Sequence, residues 1–135
     1  MANYISFSRS SYFKVKNEDD FKKFCDKWGV ELISKEFNKE TLYGFLGKDE
    51  GGIPAFYYDQ KTDEWIDDQD GFIKDLSELL HPDWVAVIQE IGYEKMRYLV
   101  GYSLMIDSEG NTTVVNIDDI YKKVRGGKNY TVCMY

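Results

Sequence analysis

The sequence predicts an α+β fold, a mainly antiparallel β-sheet with two or three short helices packed on one face. Three observations predict it. Apolar residues recur at helical spacing in two stretches, Phe21-Phe24-Cys25-Trp28 and Phe72-Ile73-Leu76-Leu79-Leu80. Around them lie short runs of branched and aromatic residues bounded by Gly, Asn and Asp, which read as strands. No repeat, low-complexity tract or proline-rich linker divides the 135 residues, and their 43% hydrophobic and 16% aromatic content supplies one core, so residues 1–135 are expected to form one domain.

Taken in order, Tyr12 to Lys16 alternates aromatic or branched residues with lysine, as a half-buried strand does. Asn17 offers an N-cap, Glu18, Asp19 and Asp20 place negative charge in the first helical turn, and Gly29 stops the helix. Val30 to Lys35, Thr41 to Gly47 and Ile53 to Tyr58 read as a three-stranded meander, turning at Asn38-Lys39 and at Asp49 to Gly52. A second helix starts near Asp70 and ends before Pro82. Trp84 to Ile88 and most of Tyr98 to Ile106 are apolar on both alternating sets, which marks central strands, paired through a turn around Gly92. Asp107 to Asn111 supplies a hairpin loop into Thr112 to Ile117. Asp118 to Arg125 resembles a short third helix, and Tyr130 to Tyr135 reads as a closing strand.

Charge is distributed unevenly. Residues 49–83 hold eleven acids against Lys61 and Lys74, whereas the other acids and bases nearly balance, within a chain of net charge −7. The densest stretch, Asp59 to Asp70, points to a surface for a basic partner, with Asp59, Asp63, Glu64, Trp65, Asp67, Asp68 and Asp70 as candidate binding residues. In a strand, Asp63, Trp65 and Asp67 would share one face, where alternate side chains lie roughly 6.5 to 7 Å apart. That spacing loosely matches duplex DNA, which carries about one phosphate per 3.4 Å of axis on each strand, so the segment is a candidate DNA mimic. The competing reading is a solvated acidic loop, with Trp65 as a partial core anchor.

Other chemistry finds less support. A calcium-loop alignment with Asp68 and Asp70 as ligands and Gly71 at the turn fails, because Ile66 fills the first ligand position and Ser77 the last. His81 is the only histidine, no nucleophile elbow occurs, and Gly126-Gly127-Lys128 lacks the flanking residues of a phosphate loop. No catalytic residue, metal or cofactor is therefore expected. Direct nucleic-acid binding is disfavoured because the basic residues from Arg9 to Lys27 are interleaved with acids and the net field repels phosphate. Cys25 and Cys133 lack metal-like spacing and are expected as reduced thiols. The first residues show no leader pattern and no long apolar run occurs, so a cytoplasmic location without membrane contact is expected.

The stretch Gly92 to Tyr102, with Ser11 to Lys16 and Asn116 to Tyr121, resembles small acidic proteins carried by bacterial phages and plasmids. The resemblance covers most of the chain in the same order and implies a context, not an active site. Proteins of that context include anti-restriction and anti-CRISPR inhibitors, some of which mimic DNA charge. The leading expectation is thus a non-enzymatic interaction protein of a mobile element, whose acidic surface blocks a nucleic-acid-binding nuclease complex of the host. The alternatives are a small carboxylate- or metal-dependent enzyme, and a phage structural or assembly protein, including a homodimer through a sheet edge.

Overall fold

A computed structural model describes residues 4–47, 56–94, 98–124, 126–129 and 131. The elements run β1 (Tyr4–Ser10), α1 (Glu18–Trp28), β2 (Val30–Phe37), β3 (Glu40–Gly47), β4 (Phe56–Asp59), β5 (Glu64–Asp67), α2 (Gln69–Leu79), β6 (Ala86–Glu94), β7 (Tyr98–Ile106) and β8 (Thr112–Asn116). A 3-10 helix, Ile117–Lys123, follows. Six strands form one antiparallel sheet in the order β2-β3-β1-β6-β7-β8, while β4 and β5 make a separate hairpin.

Helix α1 forms where the sequence places it. The Asn17 side chain accepts a hydrogen bond from the Asp20 N–H at 3.0 Å, and Gly29 closes the helix at φ 67°, its N–H donating to the Cys25 carbonyl. The β2-β3 hairpin turns on Asn38 and Lys39, both at positive φ, as a tight two-residue turn requires.

Both long helices cover the same face of the sheet. Phe72 of α2 is fully buried and meets Phe24 at 5.4 Å, Trp28 edge-on at 5.4 Å and Phe45 edge-on at 6.1 Å between ring centroids. Phe21 extends the cluster to Phe13, at 5.6 Å and 88°. Ala86 and Ile88 from β6 and Leu104 and Ile106 from β7 form its floor. A second tie joins the helices, for Asp75 Oδ2 accepts both Lys27 Nζ at 2.8 Å and the Trp28 indole N–H at 3.1 Å.

Burial along β6 alternates, with Ala86, Ile88, Glu90 and Gly92 on the helix side and Gln89, Ile91 and Tyr93 on the other. Glu90, on the helix side of β6, is buried and accepts a 2.8 Å hydrogen bond from the Tyr102 hydroxyl. The outer face is open, with Phe7 54%, Ile91 65%, Tyr93 42% and Leu99 47% exposed.

Several expectations are corrected. The stretch Tyr12 to Lys16 is not a continuous strand; Phe13 and Val15 make isolated bridges to Tyr43 and Leu80. The strand is Tyr4–Ser10, whose inner positions Ser6, Ser8 and Ser10 lack the apolar alternation that marks a strand. Ser10 is nevertheless buried, its hydroxyl accepting the Phe45 N–H at 2.8 Å. The three-strand meander breaks after β3, because β3 takes β1 as its other neighbour and β4 pairs with β5. Gly92 is no turn residue but lies within β6, opposite Val100. The last helix has 3-10 geometry, its entry fixed by a 2.8 Å bond from the Asn116 N–H to Asp119 Oδ2. The turn at 49–52, Tyr130 and residues 132–135 lie outside the described residues.

Two outcomes are expected. Phe72→Ala removes the ring that three other rings touch and should lower unfolding free energy by about 3–5 kcal/mol in urea titration; a loss below about 1 kcal/mol would place Phe72 outside the core. Asp107 accepts the N–H groups of Glu109 and Asn111, each at 2.9 Å, and the Asn111 side-chain amide at 3.1 Å. The Asn111 backbone bond is the main cause holding its carboxyl below the ordinary value of 3.8. Because folding lowers this pKa, the group's stabilisation is complete above the unfolded value of about 3.9 and is lost as pH falls through the lower folded value. NMR titration of Asp107 should give a midpoint below 3.8; a midpoint at or above it contradicts the loop geometry.

Candidate acidic docking surface

The candidate residues occupy the β4-β5 hairpin and the start of α2, and β4 lies beside α1 on the helix-covered side of the sheet. The hairpin turn is locally encoded. Asp59 Oδ1 accepts the Lys61 N–H at 2.9 Å, and Asp63 closes the turn at φ 56°, a left-handed conformation that Asp tolerates better than most residues. Asp63 is therefore a turn residue, and β5 begins at Glu64. The expected row of Asp63, Trp65 and Asp67 on one strand face is shortened accordingly. Trp65 and Asp67 share strand parity, but their side chains lie outside the described residues.

Register brings Asp59 and Glu64 directly opposite each other across the hairpin. Like charges in such a pair oppose strand pairing by roughly 0.2–1 kcal/mol. Among the described residues, Asp59, Asp63, Glu64, Asp68 and Asp70 make no ion pair with Lys, Arg or His. Within the acidic segment, Asp75 is the described acid that pairs with a cation, Lys27.

Two further candidate acids have structural work. Asp68 is the N-cap of α2, its Oδ1 accepting the Gly71 N–H at 2.9 Å, and Asp70 sits in the first helical turn, where the positive end of the helix dipole favours it. The Asp68 carboxylate lies so close to the Gly71 Cα that a Cβ at residue 71 would collide with it. Glycine is thus matched to this cap.

The folded chain also adds acids that sequence order keeps apart. Asp70 and Glu78 of α2 line a shallow depression with Glu109 from the β7-β8 loop, around Lys74. Glu109 carries no local sequence signal for this role, since only tertiary packing brings its loop to α2. His81 stands elsewhere, its Nδ1 accepting the Asp83 N–H at 3.3 Å at the end of the helix. No group of three or more His, Cys, Asp or Glu side chains able to hold a metal ion occurs among the described residues. No helix among them is long and apolar enough to cross a membrane.

No protein-family model, curated protein or solved structure matches the chain.

The cap makes a coupled prediction. Asp68→Ala should cost about 1 kcal/mol of stability in the natural chain. In a Gly71→Ala background, where the new methyl already displaces the carboxylate, the same change should cost little. A double-mutant cycle in urea measures this, and equal losses in both backgrounds would show that Asp68 does not cap through Gly71.

Proposed function

We propose that the protein is a non-enzymatic interaction protein that presents its hairpin and α2 acids to a basic, nucleic-acid-binding protein surface. In the context that the sequence resemblance implies, that surface belongs to a host nuclease complex, and the acids occupy the groove meant for a nucleic-acid backbone.

One observation carries the reading. Asp59 and Glu64 face each other across the hairpin, and among the described residues no cation pairs with either of them. A hairpin selected for stability alone would place opposite charges there. The arrangement is understandable where the cost is recovered against a partner, whose lysines and arginines supply the missing counter-charge. Asp63 and Asp70, both exposed, and Glu78 and Glu109 extend the same field.

Charge reversal separates binding from folding. Glu64→Lys converts the opposed pair into an attractive one, so it should raise thermal stability slightly while weakening partner binding. Reversing Asp63, Glu64 and Glu78 together leaves the Asp68 cap intact and should lower affinity by about tenfold or more, since like charge set against like costs several kcal/mol. The measurement is capture of bacterial lysate proteins on the immobilised chain at 0.1 M and 1 M salt, where screening lengths are about 10 Å and 3 Å. The retained partner should be released by high salt and by competing duplex DNA. Retention that is indifferent to both, and to the triple reversal, would contradict the proposal.

A further inference from the structure

The outer face of the sheet takes no part in the acidic surface. Register places Phe7 and Gly101 on either side of Ile91, with Ile5 and Leu99 on either side of Tyr93 in the next row. The Ile117 side chain lies against Gly101 and extends the first row, and Val115 adjoins it on β8. Phe7, Ile91, Tyr93, Leu99, Val115 and Ile117 are each between 42% and 65% exposed.

We propose that this face is a homodimer interface, in which two copies of the chain pack β1-β6-β7 against β1-β6-β7 about a two-fold axis. The outer set of β6 carries Val87, Ile91 and Tyr93 and that of β7 Leu99 and Met105, an apolar content that suits burial, yet within one copy the helices bury only the inner set. The six exposed side chains amount to roughly 600 Å² at about 200 Å² for a large apolar side chain, which with a rim approaches the ~800 Å² per partner of a standard interface.

The area suits a second copy as the occupant, and charge disfavours the basic partner there. These six side chains carry no charge, so they offer a basic partner no electrostatic handle, and the acidic hairpin and α2 belong to the opposite, helix-covered side. Sheet-on-sheet packing therefore keeps the two acidic layers apart, outside a four-layer α-β-β-α assembly. At the rim, one row across β6-β1-β3-β2 reads Gln89, Arg9, Leu46 and Glu31. With both signs present, a self-complementary interface does not oppose like charge with like throughout.

Light scattering on the full chain should give twice the 15.8 kDa chain mass. Ile91→Asp and, separately, Leu99→Asp should return it to the single-chain mass without loss of circular dichroism, because both positions are solvent-facing within one copy. Val114→Lys, on the exposed β8 edge, should leave the dimer intact. In a Cys133→Ser background, Ile91→Cys should form an intermolecular disulfide on mild oxidation, with Cys25 buried and uninvolved. A full chain that stays monomeric at its highest soluble concentration overturns the proposal, whether the face is left bare or covered by the chain's own C-terminal residues. A dimer abolished by Val114→Lys and untouched by Ile91→Asp overturns it in favour of edge pairing.

Discussion

The packing of Phe72 into the rings of Phe24, Trp28 and Phe45 is the contact on which the rest of the structure depends. Through it α2 is fixed against α1 and β3 at once, and the acidic segment that precedes α2 inherits a defined place beside α1. Aromatic rings suit this role because each buries a large apolar area at the cost of few rotatable bonds, and edge-on pairs add about 0.5–1.5 kcal/mol beyond area alone. The Asp75 bonds to Lys27 and the Trp28 indole reinforce the same junction from its polar rim. The two helices so joined cover one face of the sheet and leave Phe7, Ile91, Tyr93 and Leu99 exposed on the other.

The acidic segment divides into acids that fold the chain and acids that face solvent. Asp75 ties two helices, Asp68 caps α2, and Asp59 shapes the hairpin turn. Asp63, Glu64, Asp70 and Glu78 are exposed, and Asp59 and Glu64 repel each other across the hairpin. A count of charges treats all of these as equivalent. Geometry does not, and the solvent-facing set, together with Asp59 where it opposes Glu64, supports the proposed electrostatic contact with a basic protein.

Much of the fold was legible because its signals are local. The α1 stripe, its Asn17 and Gly29 caps, the Asn38-Lys39 turn and the full extent of β7 each follow from residues close in sequence. β1 was not legible, because three serines occupy its inner positions and give no apolar alternation. The pairing of β3 with β1, rather than with β4, is a long-range choice that no local pattern records. At the candidate site, Asp59 to Asp70 stood out as composition, but the positive φ that removes Asp63 from the strand appears only in three dimensions. So does the approach of Glu109 to α2. The apolar runs Trp84 to Ile88 and Tyr98 to Ile106 mark strands inside the sheet order, as found, but Leu99 and Met105 on the outer face of β7 stay exposed within a single copy.

The central claim is that α2 docks through Phe72 on the face opposite Phe7 and Ile91, which decides where the acids stand and which sheet face stays open. Nuclear Overhauser contacts from the Phe72 ring test it most directly. Cross-peaks from Phe72 to the rings of Phe24, Trp28 and Phe45 are predicted, with none from α2 to Phe7 or Ile91 in a monomeric sample such as the Leu99→Asp variant. Contacts between α2 and Phe7 or Ile91, or the loss of those within the ring cluster, would contradict the account.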